Sequence, residues 1–217
     1  MASKAVLWDM DGVIADTAPF HFLAWQKVAQ DRGIAFTEDD FRDTFGKRNP
    51  EIIAEKFSKD ISPQEIDSLA QRKEELFRRI ATQSIKSFPG VLNLLLSLRS
   101  AEWKMALVSS TPVENIELIT HSLEITGLFD TTVADRDVLR GKPDPEGFLL
   151  AAERLGVAPS SCVVIEDAIA GVRAAKNAGM KCIAVTNTHP AERLKEADRV
   201  VDSLEIVTVN TIESVLH

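Results

Sequence analysis

The sequence predicts an α/β fold: a parallel sheet with helices on both faces and a helical cap domain inserted after the first strand. Short apolar runs ending in polar residues alternate with longer helical patterns, the signature of strand and crossover-helix units. The runs are apolar at nearly every position, which suits a parallel sheet covered on both faces. From about residue 15 to 85 the alternation stops and no strand pattern is found.

The first strand is AVLWD, residues 5–9. The inserted stretch follows, with amphipathic patterns such as FHFLAWQKVAQDRG and EIDSLAQRKEELFRRIATQ. Within it Ser62, Pro63 and Glu65 supply an N-cap, a first-position proline and the glutamate of a capping box. Further strands are MALVS (105–109), TTVA (131–134), CVVIE (162–166) and CIAVT (182–186). Thr111, Pro112 and Glu114 repeat the helix-start signal, and Gly33, Gly156 and Gly179 read as helix stops. The α/β part is thereby assigned to residues 1–14 and 86–217, and the helical cap to 15–85. The insertion leaves the chain where open α/β sheets bind ligands, beyond the carboxyl ends of their strands.

With 217 residues, 45% hydrophobic and 27% charged, the chain can bury a core without disulfides or a structural metal. Cys162 and Cys182 lie in apolar runs, outside any zinc-ligand spacing, and read as reduced core thiols. No apolar run is long enough to cross a bilayer, and MASKAVLWD lacks the basic and apolar regions of a secretory signal, so a cytoplasmic location is expected. A net charge of -8 argues against nucleic acid or an anionic membrane as partner, because phosphate backbones require clustered Lys and Arg. The expected partner is a small-molecule phosphate ester.

Asp9, Met10, Asp11 and Gly12 end the first strand, and residues two apart on an extended chain point the same way, so both carboxylates address one point. Asp and Gly also crowd ordinary turns, so the pair alone selects nothing. A calcium loop is excluded: counted from Asp9, its glycine and glutamate positions fall on Ile14 and Phe20. Ser109 closes the second strand, Lys142 lies in the GKPDP turn, and Glu166 and Asp167 close the CVVIE strand. Each has a plain reading as turn hydroxyl, surface lysine or polar loop. In one parallel sheet they emerge together at the same edge.

The order DMDGV, VSS, GKPDP, VIEDAIAGV resembles the haloacid dehalogenase superfamily across nearly the whole chain, with a Rossmann-like core and the cap type of its phosphatase and β-phosphoglucomutase branch. The resemblance implies Asp9 as nucleophile and Asp11 as general acid and base. It further implies Ser109 and Lys142 as phosphate holders, and Mg2+ held by Asp9, the Asp11 carbonyl and Asp167, with Glu166 contributing. Such chemistry is mainly positioning and electrostatics. It requires Asp9 ionised and Asp11 protonated when the ester is attacked; magnesium and Lys142 are expected to favour the first, and a neighbouring carboxylate the second.

Thr17, His21 and Trp25, four apart, share one helical face next to the catalytic strand. His21 and Trp25 also read as packed side chains. Members of the β-phosphoglucomutase branch carry a similar DT, histidine and tryptophan, and a cap lysine resembling Lys73, which implies that Thr17, His21, Arg48 and Lys73 meet the substrate. The sequence departs from the mutase pattern at Arg48, one place before its phosphate-gripping arginine, and at STPVEN after Ser109, where the mutases have small and basic residues. A weakened second phosphate grip favours hydrolysis, so a phosphatase of a small sugar phosphate is expected, with a β-phosphoglucomutase as the alternative. A non-enzymatic phospho-acceptor of the receiver type is disfavoured, because receivers place the acidic pair first and lack a roughly 70-residue helical insertion.

Overall fold

The computed structural model describes residues 3–58, 60–82 and 85–217; Gln83, at the end of the second helical pattern, lies outside them. Among the described residues six parallel strands, β1 (Ala5–Trp8), β2 (Lys104–Val108), β3 (Thr131–Val133), β4 (Cys162–Glu166), β5 (Lys181–Val185) and β6 (Arg199–Val201), form one sheet in the order β3-β2-β1-β4-β5-β6. The central strands obey the period of two on both faces. Val6, Trp8, Met105, Leu107, Val163 and Ile165 join one core cluster, and Ala5, Leu7, Ala106, Val108, Cys162 and Val164 the other. Helices α5 (Val91–Ser100), α6 (Val113–Ser122) and α9 (Val209–Leu216) cover the first face through Leu94, Leu95, Leu98, Ile116, Ile119 and Ile212. On the second, α7 (Glu146–Leu155) and α8 (Ile169–Asn177) present mostly alanine, which lets them sit close to the strands. Both cysteines are buried and free.

The stretch between β1 and α5 holds helices α1 (Ala18–Asp31), α2 (Glu38–Thr44), α3 (Asn49–Lys56) and α4 (Pro63–Ala81). Trp25, Val28, Ala29, Phe36, Ile52, Ile53 and Leu69 form a cluster of their own, while Phe77 and Ala81 of α4 reach the main core. Entry and exit run side by side. Ala15 bridges to Ser87, the Asp16 amide donates to the Lys86 carbonyl (3.0 Å), and the Phe88 amide donates to the Ile14 carbonyl (3.1 Å). No described helix is long and apolar enough to cross a membrane.

Two expectations need correction. Residues 199–201 form a strand that the sequence did not announce, since this three-residue edge carries an exposed Arg199 and only one buried position. Helix α6 begins at Val113, and Thr111 does not cap it: the Thr111 hydroxyl and amide both turn to the Ser109 hydroxyl, at 2.9 and 3.2 Å. The Ser62 cap does form, its hydroxyl accepting from the Glu65 amide at 3.3 Å. Gly33, Gly156 and Gly179 each sit at a helix end with positive φ, as expected of stops.

Candidate active site

The Asp9 amide donates to the Ile165 carbonyl (3.0 Å), so the β1–β4 ladder continues one residue past the strand and fixes the direction of Asp9. Met10 enters the core, and Asp9 and Asp11 on either side of it line one cleft. The turn that follows depends on Gly12, whose φ is +89° and whose missing Cβ leaves room for Asp167: a Cβ there would lie 2.0 Å from Asp167 Oδ2.

Lys142 donates to Asp9 Oδ1 and to Glu166 Oε1, the latter at 2.6 Å. Glu166 Oε2 accepts from the Asp167 and Ala168 amides, both at 2.8 Å, and Thr188 donates to Asp167 Oδ2. One oxygen from each of Asp9, Glu166 and Asp167 lies within 4.8 Å of the others. Asp167 Oδ1, fully buried, meets no donor among the described residues. Burial pushes the Asp9 carboxyl well above the usual range, against the pull of Lys142. Burial likewise raises Asp167, with the charges of Glu166 and Asp9 adding to it. Three clustered carboxylates facing one ammonium, with an oxygen left over, suit a hard divalent cation that takes oxygen ligands. The Asp11 carboxylate is not part of this cluster; its expected share was its backbone carbonyl.

Asp11 is held from the helical side. Thr17 Oγ1 donates to its Oδ1 (2.6 Å), His21 Nε2 lies 3.1 Å from the same oxygen, and Ser109 Oγ lies 3.4 Å from Oδ2. Lys73 Nζ is 2.7 Å from His21 Nδ1. An ammonium only donates, so Nδ1 accepts and the ring hydrogen sits on Nε2, aimed at Asp11. The ring stacks on Phe77 at 3.9 Å, and Lys73 Nζ lies 5.4 Å from the Trp25 ring. Burial works against the Asp11 carboxylate, yet the His21 ring, the Thr17 hydroxyl and the Lys73 ammonium hold its carboxyl below the ordinary range. These protein groups alone disfavour charge on Asp9 and favour it on Asp11, whereas the expected polarity counted magnesium beside Asp9 as well. The expectation counted the neighbouring carboxylate and overlooked the donors that α1 and α4 bring.

The structure thus brings together Asp9, Asp11, Ser109, Lys142, Glu166 and Asp167, and sets Thr17, His21 and Lys73 over them. Trp25 both packs in the helical cluster and lines the cleft. Arg48 sits apart from Thr17, His21 and Lys73. Its Nε donates to Glu51 (3.1 Å) and Nη1 to the Val138 carbonyl (3.3 Å), and it lines an adjoining cavity with Ser109, Ser110 and Lys142, outside the cleft that holds His21 and Lys73. The ion pair with Glu51, three residues on, holds it locally.

Sequence reasoning missed Glu74, Asn49, Asn115 and Thr188. Asn49 and Asn115 donate to the two oxygens of Glu74 at 2.7 and 2.6 Å, and Lys73 donates to it at 2.8 Å. Burial opposes charge on Glu74, but the Lys73 ammonium and the Asn49 amide, both hydrogen-bonded to it, bring its carboxyl down to about 2. The four-residue recurrence of Leu69, Lys73, Phe77 and Ala81 marks the buried stripe of α4 and carries Lys73, but Glu74 lies beside that stripe and has no such signal.

A family model described as haloacid dehalogenase-like hydrolase matches residues 3–179. A phosphorylated carbohydrates phosphatase of Thermotoga maritima is 34% identical over 215 residues, covering 98% of this chain and 100% of its own. A β-phosphoglucomutase of Bacillus subtilis is 34% identical, covering 96% of this chain and 93% of its own. The crystal structure of a β-phosphoglucomutase from Clostridium difficile superposes with a TM-score of 0.89 at 30% identity, over 99% of this chain and 97% of that one. With an acidic pair closing β1 and a lysine bridging β1 to β4, the chain belongs to the haloacid dehalogenase-like hydrolases, as a phosphoryl-transfer enzyme of the branch that contains the β-phosphoglucomutases.

Proposed function

We infer that this enzyme is a magnesium-dependent phosphatase of small, sugar-type phosphate esters that works through a phosphorylated Asp9. The phosphatase and mutase relatives are equally similar, so the reading rests on Arg48: engaged by Glu51 and Val138, it lines the adjoining cavity, and no arginine among the described residues lines the cleft of His21 and Lys73. A mutase holds two phosphates at once, whereas hydrolysis needs a grip on one. The mutase remains the second reading, supported by the presence of Arg48 in the adjoining cavity beside Ser109 and Lys142. Residues 15–85 act as the cap and residues 1–14 and 86–217 as the catalytic core in this proposal. A reducing compartment, the cytoplasm, suits the two buried free thiols.

Ser109 and Lys142 bind the phosphoryl oxygens while Asp9 attacks phosphorus. As the Asp9–phosphorus bond forms, the ester P–O bond breaks and its electron pair goes to the departing oxygen, which takes a proton from Asp11. Thr17 and His21 occupy Oδ1 of Asp11, so Oδ2, on the Ser109 side, is the oxygen free to handle that proton. The incoming phosphate dianion raises the proton affinity of Asp11 and offsets the neighbours that lower it. Water then attacks the phosphorus, gives its proton to the Asp11 carboxylate, and Asp9 is released with inorganic phosphate. Asp9, Asp167 and the Asp11 carbonyl, with Glu166 beside them, would hold magnesium, which would neutralise charge on the carboxylates and phosphoryl oxygens.

The test is phosphate release with magnesium across a panel of sugar phosphates, including β-glucose 1-phosphate primed with glucose 1,6-bisphosphate and assayed for glucose 6-phosphate. Rapid phosphate release is expected; glucose 6-phosphate forming with little free phosphate would make it the mutase. Asp9→Asn is expected to lower turnover on the order of a thousandfold or more while the melting temperature holds or rises. An active variant would remove the covalent mechanism.

A further inference from the structure

Glu74 is 3% exposed, Asn115 is fully buried, and they belong to opposite sides of the cleft: Glu74 to α4 of the inserted segment, Asn115 to α6, which follows the Ser109 loop. The amide of Asn115 is used at both ends. Its Nδ2 donates to Glu74 Oε2 (2.6 Å) and its Oδ1 accepts from Arg78 (2.9 Å), one helical turn beyond Glu74. The other oxygen of Glu74 receives Lys73 and Asn49. From Lys73 the chain of contacts runs through His21 Nδ1 and Nε2 to Asp11 Oδ1. A bare carboxylate in this position would be costly; three donors from three helices make it the joint of the seam.

We propose that Glu74 and Asn115 are positioning residues for the acid step, a polar latch that seats α4 on α6 and thereby holds Lys73 and His21 against Asp11. The latch rests on the phosphatase reading above, in which Asp11 protonates the leaving oxygen. Neither residue touches the reacting atoms. Their effect is carried by orientation, so it falls on substrates whose departing oxygen needs a proton.

The pair also admits a swap. Glu74→Gln alone sets two amide donors face to face, and Asn115→Asp alone sets two carboxylates face to face. Combined, the amide at 74 donates to the carboxylate at 115, Arg78 keeps its acceptor, and Lys73 and Asn49 keep a carbonyl oxygen. The experiment measures kcat/KM with saturating magnesium for the fastest sugar phosphate of the panel and for p-nitrophenyl phosphate, whose leaving group departs without a proton, with melting temperatures recorded for each variant. Each single variant is expected to lose about tenfold or more on the sugar phosphate and to stay within about threefold on p-nitrophenyl phosphate, and the double variant to recover most of the loss. Asn115→Ser, which breaks the bond without opposing charges, serves if a single variant does not fold. Unchanged sugar-phosphate kinetics in the singles, equal losses on both substrates, or no recovery in the double variant would each overturn the latch. Turnover by Asp9→Asn would instead overturn the reading of the site on which it rests.

Discussion

Three buried carboxylates of this protein meet opposite fates. Asp9 and Asp167 face other carboxylates and are pushed up by burial, whereas Glu74, as deeply buried, collects three donors and is brought down to about 2. The count of donors, more than depth, decides. Because the folded value for Glu74 lies below its ordinary 4.5, its contribution to stability is fully present above about pH 4.5 and is lost as pH falls through about 2. The loss is on the order of 3 kcal/mol in total. Urea unfolding of wild type and Glu74→Gln from pH 6 to pH 3 checks it: their stability difference is expected to shrink as the pH falls, and a constant difference would show that the fold does not lower the Glu74 carboxyl. Asp9, Asp11, Ser109, Glu166 and Asp167 were legible because each closes or follows a strongly apolar run, and strand ends share an edge. Glu74 and Asn115 were not, since a polar residue within an amphipathic helix reads as a solvated face until a second helix covers it.

At the level of elements, α8 is pressed against the site. A Cβ on Gly171 would lie 1.6 Å from Glu166 Oε1, the oxygen that anchors Lys142. Gly171→Ala must therefore move either the helix or the glutamate, at a cost of about 1–3 kcal/mol. The expected outcome is a lowered melting temperature together with a kcat about tenfold down, because Lys142 loses one of its two anchors; wild-type values of both would show that the helix yields freely. The sequence foresaw five strands to within a residue at each end, and in β1, β2, β4 and β5 burial on both faces leaves a continuous apolar signal. It missed β6, whose half-exposed edge has little of that signal, and it misplaced Thr111, whose hydroxyl found a better partner in Ser109 than in the helix it precedes.

Across the whole molecule, the crowding of Asp9, Glu166 and Asp167 is a cost that a bound cation would relieve. A ligand that binds only the folded state stabilises by mass action, about 2.7 kcal/mol at a hundredfold excess over Kd. Magnesium is expected to raise the melting temperature by about 5 to 10 °C at that excess. Asp167→Asn is expected to melt at or above the metal-free wild type and to lose the magnesium increment; an increment that survives the substitution would place the ion elsewhere. The α/β class and the helical insertion were legible because composition and period change together near residues 15 and 85, while the seating of the insertion on the sheet depends on contacts between helices far apart in sequence. The adjoining crossings at Ala15 and Ser87 give that insertion a particular chain statistics. Its two ends are tied at the base, so to the sheet it is a closed ring whatever its contents, and the entropy of closing a ring grows only with the logarithm of its length, by about 0.6 kcal/mol per doubling. Helices can thus be added to or taken from the ring at small entropic cost to the sheet, without renegotiating the fold that holds Asp9.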